Sequence, residues 1–326
     1  MRHAALVAMH LAACTLCACA NRGPLIRPNL VTGASTSIEL ESTPFFPQLE
    51  FQCGPAALAT VLGASGASVL PGTLEPLVYV PSRRGSLQIE MQAAPRKFAR
   101  LSYPLTGNLD AVLAELAAGR PVLVLHNYGI PLLPRWHYAV VVGYDAAKDQ
   151  MALRSGVTRR QTMSARNFMR AWDNGGRWAM VVLKPGELPA NPDSARYLEA
   201  AAAFERVSSP ADARLVFDAA VRQWPQAAVA WIGRGTAGYR AGDLPAAARD
   251  YEAALNLDGQ NAGARNNLAM TLMELGCADR ARAELARIDT ATLPPALMDA
   301  VRDTRERLAG AQPMRADQTS AQCTLP

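Results

Sequence analysis

The stretch QCGPAALATVLGASG, residues 52–66, decides the fold of the first half of this chain. Cys53 stands where a loop turns into a helix. Ala57, Leu58, Val61 and Leu62 recur at helical spacing and give that helix one buried face, over about 53–64. Pro55 suits its first turn, where the N–H it lacks would have had no acceptor. A helix N-terminus sets positive partial charge and free N–H groups beside a sulfur, which favours the thiolate, the nucleophilic form. Working outward, HYAVVVGYD (137–145) reads as a strand opened by a histidine. The chain has four histidines, His3, His10, His126 and His137. The first two fall in a segment that reads as removable. Imidazole chemistry therefore rests on His126, which ends the apolar strand PVLVLH, or on His137. The latter begins a strand between Trp136 and Tyr138, where a side chain can reach a cleft. Cys53 is the candidate nucleophile and His137 the candidate base.

The surroundings of this pair read as mixed α and β. SLQIEMQAAPRKFA (86–99) has helical spacing, with Pro95 starting, ending or kinking an element. NLDAVLAELAAG (108–119) is a helix with Asn108 as N-cap and Gly119 beyond its end. RPVLVLH, HYAVVVGYD, QMALRS and RWAMVVLK are strands, and SARNFMRAW is a short helix capped by Ser164. The expectation is an α+β body over 43–184, a helical lobe carrying the thiol packed on an antiparallel sheet carrying the base. Residues 20–42, polar with Pro and Gly, read as a tether. A net charge of +5 over 326 residues, with scattered basic positions, excludes nucleic-acid binding by phosphate neutralisation. Nothing in the pattern calls for a cofactor or a metal.

After a Pro-punctuated linker at 185–195, the composition becomes Ala-rich and helical over 196–310, followed by a polar tail at 311–326 expected to be disordered. A period of 34 runs through it: Ala213, Ala247 and Ala281; Phe217, Tyr251 and Leu285; Ala220, Ala254 and Ile288. Gly242 and Gly276 mark turns within repeats, and Trp231 and Gly235 open the middle one. This resembles the tetratricopeptide repeat, strongest over 228–261, which implies an all-α array presenting a surface to a protein or peptide partner. Cys277, in the helix–helix turn ELGCADR, and Cys323, in the tail, would pair in an oxidising compartment.

The first 19 residues read as a secretory signal: Arg2 and His3, then an apolar run too short to span a bilayer. Leu16-Cys17-Ala18-Cys19 resembles a bacterial lipobox, with Cys19 as the lipidated residue. Leu11-Ala12-Ala13-Cys14 is the alternative site, and a soluble protein cut after Ala20 is the alternative fate. Ala20 in place of an aspartate implies, by resemblance to lipoprotein sorting, an outer-membrane lipoprotein facing the periplasm.

PQLEFQCGPAALATVL followed by HYAVVVGYD resembles the papain-like cysteine peptidases that process bacteriocins behind a double-glycine leader, over residues 43–184. The resemblance implies a papain-like fold and peptide-bond hydrolysis of a peptide or protein substrate, Cys53 attacking the carbonyl and His137 moving the proton. A glutamine shortly before the nucleophile would supply the oxyanion hole with the Cys53 N–H. The family's spacing favours Gln48 over the adjacent Gln52. The family also places an aspartate at the end of the strand after the histidine strand. Here Arg154, Ser155 or Gly156 occupies that place, so Ser155 is the candidate orienter of the imidazole. Asp145 and Asp173 are weaker alternatives, and a plain Cys/His dyad is another. Without the carboxylate, a non-catalytic peptide-binding adaptor is the competing reading, and acyl or peptidyl transfer a third.

Overall fold

The computed structural model describes residues 24–27, 36–48, 52–130, 132–291, 293–310 and 323. The signal segment, Cys19 and most of the C-terminal tail lie outside the described residues. Among the described residues, no helix is long and apolar enough to cross a membrane.

The first body is α+β. Its helices are α1 (Cys53–Ala64), α2 (Pro71–Val78), α3 (Gln88–Ala93), α4 (Leu109–Ala117) and α5 (Ala165–Asn174). Its strands are β1 (Ser37–Glu39), β2 (Tyr79–Val80), β3 (Gly85–Ser86), β4 (Leu101–Pro104), β5 (Val122–Asn127), β6 (Trp136–Asp145), β7 (Gln150–Ser155), β8 (Thr158–Ser164) and β9 (Ala179–Leu183). The main sheet runs β4-β9-β5-β6-β7-β8, with β1 added to the far end of β6, and every pairing in it is antiparallel. β2 and β3 form a separate small hairpin.

Why β5, β6 and β9 read as unbroken apolar runs is now plain: both faces of the sheet are covered. Leu123, Leu125, Tyr138, Val140 and Val142 face α1, whose Leu58, Val61 and Leu62 are buried against them. Val122, Val124, Ala139 and Val141 belong to the opposite core, with Val112 and Leu116 of α4 and Phe168 and Trp172 of α5. The caps read from sequence hold: Asn108 accepts from Ala111 N at 2.7 Å and Ser164 from Asn167 N at 3.2 Å.

Several elements differ from expectation. The 86–99 helix stops at Ala93, and a 3-10 segment over Ala94–Phe98 carries Pro95. Helix α2 was not legible, because PGTLEPLV carries a proline inside it, Pro76. β4 is only four residues and β8 (TRRQTMS) is largely exposed, so neither shows an apolar alternation. The segment expected as a tether, 20–42, is docked where it is described. β1 pairs Ser37–Glu39 with Asp145–Gly143, Ile26 is buried, and Asp149 Oδ1 accepts from Leu25 N and Ile26 N at 2.9 and 3.0 Å.

The second body is all α: α6 (Ser194–Glu205), α7 (Pro210–Gln223), α8 (Ala228–Arg240), α9 (Leu244–Leu257), α10 (Ala262–Glu274), α11 (Ala278–Ala286) and α12 (Pro295–Gly310). All nine residues in phase with the 34-residue period, Ala213 through Ile288, are buried. At Gly235 a Cβ would lie 2.8 Å from the Tyr251 ring, so the glycine is what lets α8 and α9 approach. Cys277, at the start of α11, and Cys323 form a disulfide.

The two bodies share a core. Tyr197, Ala201 and Phe204 of α6 are fully buried in the cluster that holds Leu101 and Tyr103 of β4 and Leu183 of β9. The stretch expected to be a linker, 185–195, is tied down: Glu115 Oε1 accepts from Ala190 N at 2.7 Å and Tyr103 Oη from Asp193 N at 3.1 Å.

Candidate active site

The cleft lies where β6 and β7 part. Their last pair is Val140 with Arg154. Beyond it, Gln48 is wedged between the strands. Its backbone N donates to Gly156 O at 2.9 Å, its Oε1 accepts from Gly156 N at 2.9 Å, and its Nε2 donates to Tyr138 O at 3.2 Å. One Nε2 hydrogen of Gln48 remains for a ligand. Gln52 points away, donating to Glu75 Oε2 at 3.2 Å. Gln48, Cys53, His137, Tyr138 and Gly156 all line the cleft.

Cys53 is the first residue of α1, and no side chain caps that helix. Because Pro55 has no N–H and Ala56 N already donates to Gln52 O, the first turn leaves the N–H groups of Cys53 and Gly54 for the site. Burial pushes the Cys53 thiol above its ordinary range, while the backbone N–H groups of Tyr138, Gly54 and Cys53 itself pull it back toward the thiolate. Gly54 has no room for a side chain: a Cβ would sit 2.1 Å from Ser86 Oγ. That hydroxyl is buried, has no hydrogen-bond partner among the described residues, and belongs to a cleft-lining residue.

His137 is half-buried, and its Nε2 lies 2.9 Å from Ser155 Oγ. Nδ1 is therefore the ring nitrogen left to exchange a proton with the thiol. Burial holds the imidazole below its usual range. Cys53 and His137 make no direct hydrogen bond in the free structure; such contacts commonly tighten only on substrate binding. The other aspartates weighed for the third position are engaged elsewhere. Asp145 binds Lys148 through its backbone N and ammonium at 3.1 and 2.8 Å, and Asp173, though at the cleft, pairs with Arg177 at 2.6 Å.

His126 is excluded from the cleft. It pairs across the strands with His137, but it is fully buried against Phe168 with Nε2 unpartnered among the described residues, and burial pushes its pKa down to about 3. Its Nδ1 lies 2.8 Å from Tyr128 Oη, and the Tyr128 ring sits 5.9 Å from that of His137. Sequence reasoning passed over Tyr128 and Ser86. Both come to the site from segments with no spacing relation to Cys53. Among the described residues, no group of His, Cys, Asp and Glu could hold a metal.

A cysteine at a helix start, a histidine at a strand start and a glutamine thus line one cleft. Residues 40–180 match the Peptidase_C39 like family. A second family model, the tetratricopeptide repeat, matches residues 239–299. No curated protein matches the chain. Among solved structures, the chain is similar to a putative C39-like peptidase from Bacillus anthracis, 18% identical, covering 45% of this chain and 98% of that one, with a TM-score of 0.39. It is also similar to the peptidase domain of Streptococcus ComA, a bifunctional ABC transporter of a quorum-sensing pathway, 21% identical over 44% of this chain and 98% of that one, with a TM-score of 0.36. A third is a double-glycine-motif protease from an AMS/PCAT transporter in complex with its leader peptide, 17% identical over 47% of this chain and 95% of that one, with a TM-score of 0.34. The first body is thus where the C39-like family model matches, and the second where the tetratricopeptide-repeat model does.

Proposed function

We propose that this chain is a cysteine peptidase cleaving a peptide or protein substrate. Cys53 Sγ attacks the scissile carbonyl. His137 Nδ1 takes the thiol proton and returns it to the leaving amine, and Ser155 positions the ring. The oxyanion is met by the N–H of Cys53 and the free hydrogen of Gln48 Nε2, a type of donor whose loss typically costs ~10²–10³ in rate. The observation that carries this reading is that Gln48, Cys53 and His137 line one cleft, with His137 Nε2 already engaged by Ser155. Incubation of the full chain with a tryptic peptide mixture tests it. Cuts must appear with the wild type and vanish in Cys53→Ala and His137→Ala.

Two observations favour the adaptor reading: a hydroxyl stands in place of the triad's carboxylate, and burial raises the thiol. There the cleft binds a peptide without cutting it, and Cys53→Ala changes nothing. Under either reading the repeats recruit the substrate or a protein partner. Because the repeats share a core with the sheet, what they hold is presented at a fixed distance from the cleft. We further propose export with lipidation at Cys19 and an outer-membrane anchor facing the periplasm, a setting suited to the Cys277–Cys323 disulfide. Palmitate incorporation lost in Cys19→Ser tests the anchor.

A further inference from the structure

The connection between β5 and β6 concentrates apolar side chains beside the cleft. Tyr128, Ile130, Leu132, Leu133 and Trp136 are each between 44% and 88% exposed. Single exposed apolar residues are ordinary, but a contiguous group marks a contact surface. The group is presented on a stiff frame. Asn127 Oδ1 accepts from Gly129 N and Arg135 N at 2.9 and 2.8 Å, and Tyr128 N donates to Arg135 O at 3.0 Å. Ile130 and Leu133 exchange backbone bonds at 3.3 and 3.0 Å. Gly129 packs so closely that a Cβ would meet Leu133 O at 2.1 Å. The base of this hairpin belongs to the site: Pro134 and Trp136 line the cleft with Cys53 and His137, and the Tyr128 ring packs on the imidazole.

The chemistry of the proposed peptidase, on which this inference rests, decides which part of a substrate meets the hairpin. As the C–N bond breaks, the acyl group stays on Sγ and the amine leaves with the proton from His137; water later releases the acid and the thiol. The leaving residue must therefore pass within hydrogen-bond reach of His137. Trp136 and the hairpin tip are the exposed apolar surface that adjoins His137 on that side of the cleft. We propose that this hairpin is the subsite for the leaving side of the substrate, selecting polypeptides with bulky apolar side chains in the first positions after the cut. Covering part of a Leu or Phe side chain on the tip gives about a tenfold preference in kcat/KM over Ser or Asp.

The test treats a denatured proteome digest with the full chain and aligns the new N-termini by mass spectrometry. Leu, Ile, Met and Phe must be enriched about tenfold just after the cut. The double variant Leu132→Ser/Leu133→Ser, which removes only exposed side chains, must lose most of that enrichment. It must also keep the wild-type melting temperature and rate of Cys53 alkylation by iodoacetamide, a reagent too small to touch the hairpin. Cutting without apolar preference, or a preference that survives the double variant, overturns the subsite and leaves the peptidase standing. A variant that loses co-sedimentation with anionic vesicles while keeping its cleavage preference overturns it in favour of a lipid-contacting tip. No Cys53-dependent cutting by the wild type overturns the peptidase and the subsite together.

Discussion

Replacing Ser155 by alanine separates a serine-oriented imidazole from a carboxylate-oriented one. Ser155 Oγ is the group that meets His137 Nε2, at 2.9 Å, and Ser155 is buried. With Nδ1 serving the thiol, Nε2 carries its proton and donates to the hydroxyl, so the contact is a neutral hydrogen bond that strengthens somewhat in the imidazolium. Such a bond is worth about 1 kcal/mol net, so Ser155→Ala should slow Cys53 alkylation at pH 7 by about fivefold. Removing the carboxylate of a complete triad costs ~10⁴. The assay is the second-order rate of chloroacetamide alkylation, read by mass mapping of the Cys53 peptide from the oxidised full chain, where Cys277 and Cys323 are blocked as a disulfide. Ser155→Thr, which keeps the hydroxyl, should retain most of the rate. A change of less than twofold in Ser155→Ala, or one of several thousandfold with the fold intact, refutes the reasoning.

Other outcomes follow from the same geometry. Gly54→Ala forces a Cβ onto Ser86 and should cost about 1–3 kcal/mol of stability, read by denaturant melts, and slow Cys53 labelling. His126 is held neutral, its pKa depressed to about 3 against an unfolded value near 6.5, so the unfolded state binds the extra proton between these values. Stability is therefore full above pH 6.5 and falls as pH drops toward 3; a thermal-melt series should show that loss reduced in His126→Phe, and equal acid sensitivity in both chains contradicts the assignment. Reducing the disulfide, which closes a sequence separation of 46, should lower stability by roughly 4 kcal/mol without changing the Cys53 labelling rate. Truncation after residue 190 removes Tyr197 and Phe204 from the shared core, each worth ~1.5–3 kcal/mol, so the fragment should melt well below the intact chain or aggregate.

What was legible in the sequence was what local rules decide. Cys53 opens its helix where the apolar spacing put it, and the 34-residue phase named the buried repeat positions, because both follow from periodicity. The strands buried on both faces were legible as apolar runs. β4 and β8 were not: the first is short, and the second is mostly exposed, so burial leaves no mark on it. The docking of residues 24–27 and 37–39 was hidden for a different reason. It depends on Asp149 and on the open edge of β6, partners more than a hundred residues away. The site shows the same division. Gln48 and Ser155 were found through the resemblance. Ser86 reaches the cleft, and Tyr128 the His137 ring, only through the fold.

The central claim is an activated thiol–imidazole pair at Cys53 and His137. Its most direct test is intact-mass analysis of the full chain after brief exposure to E-64, with Cys53→Ala and His137→Ala alongside. One adduct on Cys53, absent from both variants, is the predicted result. A well-folded wild-type chain that takes up no E-64, or a His137→Ala chain that labels as fast as the wild type, contradicts it.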